Sequence, residues 1–512
     1  MVESASPPRP AGPPGPPAAS GERTSSDSLV SATTRVLSVK LEAALVALIV
    51  GVALAIRFTP MQRGLGFDEL FTAVNFVGAE SAWKTATTSI NFNNHVGYSL
   101  MARLCVELFG RSEWALRLPA LLLGLGTLPA LWWVSRPVVG PWLALAATLG
   151  LALAPEHIRW STSARGYTAL ILGVILTSAL LFQLFKRPTA RTAAAFAGVT
   201  ILTGYCHLYA APVAIVQGLV LVAWLAVHGQ DATGRRSIVY GIAALAASGL
   251  LTLLLYAPIL RPLLFSVNHA GRGELMLDFP WYAAVELLSV SSAWLLCTLL
   301  ALAAVGVGSI ARMGQPLSRW YAGYAAAIML VPLIGATLAR PLDLYPRFFI
   351  YALPVMLVAA GAGLTALAQL LARPLPATMQ PLTWVTAVAL TLTVGWSWYT
   401  LYPAAMTDEG FRASMEALRT AGPTAEADDP DEKRTFCAFG AGAELFQWYS
   451  PDELVIPKTV DELRRAYRGR GAPACVYRPA SWEGKGSTEI RAYLEERSTT
   501  TRHGDILVFR SR

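Results

Sequence analysis

Residues 166–185, GYTALILGVILTSALLFQLF, run for twenty positions without one charged side chain. A helix rises about 1.5 Å per residue, so a run of this length crosses a hydrocarbon core of about 30 Å. Working outward, comparable charge-free runs cover 118–135, 237–260, 287–311, 320–339 and 348–372. Backbone N–H and C=O groups inside a bilayer need internal partners, which a helix supplies. The composition agrees: of 512 residues, 54% are hydrophobic and only 14% charged, where a soluble chain of this size carries far more charge. The sequence predicts an all-α polytopic membrane protein.

Spans are expected at 41–58, 116–134, 140–158, 167–185, 192–207, 208–227, 237–257, 284–306, 320–338, 348–370 and 381–401, eleven in all. The pair at 192–227 has to be a tight hairpin turning near Cys206 and His207. The first run, from Leu41, lacks a small-residue cleavage site and reads as a signal anchor. Residues 1–39 are rich in Pro, Ser and Gly, cannot build a core and are expected to be disordered.

Orientation follows from Lys and Arg. With the N-terminus inside, the inner segments carry Arg35, Lys40, Arg136, Lys186, Arg187, Arg191, Arg235, Arg236, Arg312, Arg319 and Arg373. The outer ones carry Asp68, Glu69, Glu156, Glu274 and Asp278. The net charge of +8 therefore belongs to short orientation loops, not to a nucleic-acid surface. Three regions result: a cytoplasmic tail 1–39, a membrane module 40–402 whose first outer loop (59–115) holds juxtamembrane helices, and an extracytoplasmic domain 403–512. In that domain 434–440, 474–478 and 505–510 read as strands, and 461–470 and 488–497 as helices, giving a small α/β unit. It contains no nucleotide-binding glycine loop, which favours a binding or docking role for it. The five cysteines have no metal-ligand spacing, and Cys437 and Cys475 are positioned to pair if the tail is extracytoplasmic.

Under this topology Asp68, Glu69, His95, Arg117, Arg159, Arg165, His207, Arg340 and Arg347 gather at the outer ends of helices. Single arginines there can be snorkelling side chains. Carboxylates, histidines and arginines drawn from so many segments to one side mark a functional cavity.

Five stretches carry a family resemblance: GFDELF (66–71), NFNNHVGYSLMARLCVELFGRSEWALRLP (91–119), EHIRWSTSARGYTAL (156–170), GYCHLYAAPVAIVQ (204–217) and YPRFFIYALP (345–354). In this order they resemble the GT-C superfamily of polyprenyl-phosphate-dependent glycosyltransferases. Within it they are similar to the clan of glycosyltransferase family 39 protein O-mannosyltransferases, lipid A aminoarabinose transferases and Rgt-type core transferases. Two departures stand out. The segment Asn94-His95-Val96-Gly97-Tyr98 lacks the prolines that often follow the family's histidine, and Ser163 stands where an acidic residue often precedes the Ala-Arg pair.

The resemblance implies a GT-C-like catalytic module that transfers a sugar with inversion from a polyprenyl-phosphate carrier to an extracytoplasmic acceptor. That acceptor is a protein, a lipid or a glycan, and no cofactor or metal is implied. Asp68 is similar to the catalytic carboxylate, with Glu69 beside it. Arg117, Arg165 and Arg347 match arginines near the lipid phosphate, and His95, His207 and Tyr209 line the same side. Phosphate leaves well as an anion, so one base suffices and the second carboxylate of a glycosidase is not required. Adjacent carboxylates repel, so a raised pKa on one of the pair would suit a base. A different class, a transporter or flippase of a polyprenyl-linked lipid, would also use arginines at membrane depth, but the two halves of the chain show no internal repeat. A membrane-anchored binding protein working through its tail leaves the polar outer helix ends unexplained. A bacterial cell membrane is the expected location.

The topology is tested by cysteine accessibility. A cysteine placed at position 430 should be labelled from outside intact cells and one at position 189 only after permeabilisation; labelling of 430 from the cytoplasm alone contradicts the assignment.

Overall fold

The computed structural model describes residues 38–90, 93–269, 274–339, 344–372, 389–400, 410–420, 436–440, 443–449, 454–466, 475–478, 485–503 and 505–511. Residues 1–37 of the expected disordered tail and Arg340 lie outside the described residues, and Val39 already opens a helix. Eight helices among them are long and apolar enough to cross a membrane: Val39–Gln62, Glu113–Val139, Tyr167–Lys186, Ala210–His228, Ala232–Phe265, Ala293–Ala311, Ser318–Ala339 and Pro346–Ala372. The chain is thus a multi-pass helical membrane protein.

The expected count of eleven is not reached by that criterion, for local reasons. The predicted span 140–158 is a helix Pro141–Leu153, followed by Ala154 at ψ 125° and a separate helix Pro155–Ser161. Pro155 disfavours helical backbone at the residue before it, so the break falls there. The predicted span 192–207 is the helix Ala190–Cys206, and the chain turns at His207–Tyr209 as expected. The predicted span 284–306 is interrupted at Ser289, with φ 50°, between Phe279–Leu288 and Ala293–Ala311. Of 381–401, only 389–400 is described, and it is helical.

Small residues set the closest helix contacts, as van der Waals packing in a bilayer requires. A Cβ on Gly306 would collide with the backbone of Ala359, and one on Gly363 with that of Leu302, so Ala293–Ala311 and Leu353–Ala372 touch backbone to backbone. Gly173 plays the same part against Thr203 between Tyr167–Lys186 and Ala190–Cys206.

The first outer loop folds into Pro60–Gln62, Phe67–Thr72 with a wide turn Ala73–Val77, then Ala82–Thr87 and Val96–Phe109. Over it lies the C-terminal α/β unit. Its strands β1 Phe436–Gly440, β2 Leu454–Val455, β3 Cys475–Arg478, β4 Ser498–His503 and β5 Ile506–Ser511 form one sheet in the order β2-β1-β3-β5-β4. Strand β1 pairs in parallel with β2 and β3, while β5 runs antiparallel to its two neighbours. Side chains alternate between the faces. Cys437, Phe439, Tyr477 and Phe509 meet Leu463, Ile490 and Leu494 of the helices Val460–Ala466 and Lys485–Glu495. Ala438, Val476 and Val508 face the outer loop and share a core with Leu65, Leu70 and Tyr98.

The three expected strands are present to within two residues at each end. Two others, β2 and β4, and the helix Phe411–Thr420 were not anticipated. Cys437 and Cys475 are buried, register partners on adjacent strands, and both free.

Candidate functional site

The site is built around the turn 60–66. Gly66 has extended backbone and caps the helix Phe67–Thr72, its N–H donating to Glu69 Oε2 at 3.0 Å. Carboxylates favour a helix N-terminus, where N–H groups lack partners. Glu69 does more than cap. Arg117 Nε donates to its Oε1 and Arg117 Nη2 to its Oε2, each at 2.7 Å, and the Ala164 N–H donates to Oε1 at 2.8 Å. The remaining Arg117 donors reach the carbonyls of Met61 (3.2 Å), Arg63 (2.7 Å) and Gly64 (3.0 Å). Arg117 is fully buried and Glu69 nearly so.

The pair therefore locks three pieces together: the turn, the start of Glu113–Val139, and the loop before Tyr167. Arg117, expected at the lipid phosphate, has no donor left for a ligand. Glu69 also departs from expectation. Burial alone would push its carboxyl up, but the Arg117 guanidinium outweighs that and, with Arg63 and the Gly66 N–H, holds it down at about 2. The raised pKa expected of one of the two carboxylates is not on Glu69.

Asp68, one residue earlier, points the other way. It is about one-third exposed and ion-paired to Arg347 Nη2 at 3.4 Å. Arg347 leads the short helix Pro346–Ala352, its guanidinium 4.1 Å from the Tyr345 ring and 5.9 Å from that of Trp160. Arg165, buried, donates to Thr72 Oγ1 and the Asn93 carbonyl, each at 3.2 Å, and to Asn93 Oδ1. Tyr167 packs on Trp160 at 4.1 Å and on His207 at 4.8 Å between ring centres, and His95 lies 4.5 Å from His207. Tyr209 stacks on Phe348 at 4.2 Å and its N–H donates to His207 Nδ1.

Three buried donors in this group have no hydrogen-bond partner, Arg165 Nε, Arg347 Nε and His207 Nε2, and Tyr167 Oη lies within reach of both guanidinium groups. Buried polar groups are nearly always satisfied, so a cluster of unsatisfied ones marks the place of a ligand. Asp68, Arg165 and Arg347 act electrostatically on Tyr167, and both arginines act on His207, which places them in one neighbourhood.

The structure thus assembles Asp68, His95, Arg165, His207, Tyr209 and Arg347, and sets Glu69 and Arg117 behind them as the frame. Tyr167 and Trp160 were missed by the sequence reading, although both lie inside the quoted stretch EHIRWSTSARGYTAL. Ser163, the departure from the family pattern, accepts from Arg63 Nη2 at 3.2 Å and so belongs to the frame. Among the described residues no group of three or more metal-ligating side chains is present. Beside the frame, a cavity of about 830 Å³ has an apolar wall with Leu54, Phe58 and Leu118 and a polar rim with Arg63, Glu113 and Arg412.

A family described as dolichyl-phosphate-mannose-protein mannosyltransferase matches residues 96–256. No curated protein matches the chain. Among solved structures the fold is similar to ArnT from Cupriavidus metallidurans bound to undecaprenyl phosphate, at 16% identity over 91% of this chain and 97% of that one, with TM-score 0.58. The apo state of that protein, at 16% identity over 91% and 98%, gives 0.56. The apo oligosaccharyltransferase of Archaeoglobus fulgidus, at 10% identity over 85% and 69%, gives 0.51. The chain has the fold of the GT-C membrane glycosyltransferases, as the sequence motifs led us to expect.

The frame and the site are separable by experiment. Glu69→Gln leaves the buried Arg117 charge without its counter-ion and should cost about 3–5 kcal/mol of stability, whereas Asp68→Asn should leave thermal unfolding unchanged. Because the folded Glu69 pKa is depressed from the ordinary 4.5 to about 2, its contribution is whole above about pH 4.5 and is lost as pH falls toward 2. Unfolding temperatures of the three proteins in detergent, measured across that window, check both points; an acid-insensitive parent or an unaffected Glu69→Gln protein contradicts the clamp.

Proposed function

We propose that this chain is a glycosyltransferase that moves a sugar, hexosyl or pentosyl, with inversion from a polyprenyl-phosphate carrier to an extracytoplasmic acceptor. The N-terminus is inside, the C-terminal unit is outside and the location is the bacterial cell membrane. The observation that carries the reading is the gathering of Asp68 with Arg165 and Arg347, whose buried Nε donors are unpaired, around Tyr167. Guanidinium groups suit a phosphate because their N–H forks match its oxygens. The similar ArnT fold from Cupriavidus metallidurans holds undecaprenyl phosphate, a ligand of the same chemical class. An apolar cavity of about 280 Å³, with Val174, Phe182, Tyr351 and Val355 among its walls, lies within the bundle and offers room for part of an isoprenoid chain.

In the proposed reaction Asp68 takes the proton of the acceptor hydroxyl. The acceptor oxygen attacks the anomeric carbon from the face opposite the phosphate, and the bond from that carbon to the phosphate oxygen breaks. The carrier leaves as its phosphate anion, whose growing charge Arg165 and Arg347 meet with fixed donors; positive groups aimed at developing charge lower the barrier without reorganising. Arg347 also holds Asp68 oriented until the acceptor arrives. The amphipathic cavity rimmed by Arg63, Glu113 and Arg412 supports access by an acceptor from the membrane surface.

The test is single-turnover transfer from a panel of polyprenyl-phosphate sugars to extracted cell-envelope acceptors. Asp68→Asn keeps size and most hydrogen bonding but removes basicity, so turnover should fall by at least about a hundredfold with carrier binding kept. Transfer at the parent rate by well-inserted Asp68→Asn protein contradicts the mechanism.

A further inference from the structure

The two histidines at the site are held in opposite tautomers by their backbone partners. His95 Nδ1 lies 3.2 Å from the Cys206 carbonyl oxygen, which can only accept, so Nδ1 carries the proton. His207 Nδ1 accepts from the Tyr209 N–H at 3.2 Å, so in the neutral ring the proton is on Nε2. Both rings are neutral. Burial, reinforced by Arg165, holds His95 well below its ordinary range, and burial with Arg165 and Arg347 brings His207 down to about 3. His95 Nε2 is therefore an acceptor and His207 Nε2–H a donor, on rings whose centres are 4.5 Å apart. The His207 donor is buried and has no partner.

The arrangement depends on Gly166, where a Cβ would collide with the Cys206 carbonyl and lie 3.1 Å from His95 Nδ1. The chain approaches closely here so that this carbonyl and the His95 ring can meet.

Building on the transferase reading, we propose that His95 and His207 together recognise one hydroxyl of the donor's sugar. The hydroxyl oxygen accepts from His207 Nε2–H while its proton is donated to His95 Nε2. A hydroxyl is both acceptor and donor and satisfies the two nitrogens at once. An ammonium group cannot accept from His207 and is repelled by Arg165 and Arg347, so the sugar is neutral at this position. Sites that hydrogen-bond a substrate hydroxyl discriminate strongly against its absence, because the protein groups are then left unpaired.

The experiment compares the affinity of the full-length protein for bare undecaprenyl phosphate with that for undecaprenyl phosphate bearing mannose, glucose or arabinose. At least one glycosylated carrier should bind about tenfold tighter than the bare one, the size of effect one net hydrogen bond gives. In His207→Asn the side-chain oxygen can still accept from the Tyr209 N–H, but the distal donor is gone; His207→Gln restores an N–H near the Nε2 position. The sugar-dependent gain, taken in each protein relative to its own affinity for bare carrier, should vanish in His207→Asn and return in part in His207→Gln. A gain that survives in His207→Asn, or no gain for any sugar in a parent that binds bare carrier, overturns the histidine assignment and leaves the phosphate site standing. Failure of the parent to bind either lipid sinks the transferase reading, and this inference with it.

Discussion

A buried ion pair holds this site together. Glu69 and Arg117 are removed from water, and their mutual attraction offsets desolvation only because every remaining donor of Arg117 finds a carbonyl of the turn 60–64. That demand fixes the path of the turn. The turn fixes the helix Phe67–Thr72 that Glu69 caps, and that helix turns Asp68 away from Glu69 toward Arg347. Two adjacent carboxylates thereby acquire different work: one is saturated with hydrogen bonds, the other is open to solvent and to one guanidinium.

The C-terminal unit closes on the same turn. The Leu65 N–H donates to Tyr449 Oη at 2.9 Å, Arg412 Nη1 donates to the Gln62 carbonyl at 2.9 Å, and the Arg478 guanidinium lies 4.3 Å from the Phe67 ring. Residues 65–70 share a core with Phe411, Phe446 and Trp448. The unit thus does more than dock as an appendage, because the residues flanking Asp68 are held from above by the sheet and from below by Arg117. A reacting carboxylate needs such support, since small displacements are costly when proton transfer requires hydrogen-bond distance.

Much of this was legible in the sequence. Charge-free runs pointed to the helices long and apolar enough to cross a membrane, and ionisable residues at outer helix ends pointed to the side chains that the fold gathers around Asp68, because membrane depth makes them expensive without a function. The same signal could not sort Arg117 from Arg165. Both are arginines at outer helix ends, and only the path of the turn decides that Arg117 meets carbonyls while the buried Nε of Arg165 is left unpaired. Breaks at Ala154 and Ser289 were hidden inside apolar runs, where hydropathy is blind to backbone angles. Strand β4, Ser498–His503, escaped because its middle residues are exposed and polar and show no alternation. The grip of the tail on the turn depends on pairs such as Leu65 and Tyr449, far apart in sequence, which local patterns do not reveal.

The central claim is that Arg165 and Arg347, with their unpaired Nε donors, and Tyr167 between them form a phosphate seat beside Asp68. A structure of the protein with undecaprenyl phosphate bound tests it most directly. The account predicts the phosphate within hydrogen-bond distance of those three side chains, with the Glu69–Arg117 pair unchanged behind it. A phosphate seated instead at Arg63 and Arg412, with the Nε groups of Arg165 and Arg347 still unpaired, would contradict it.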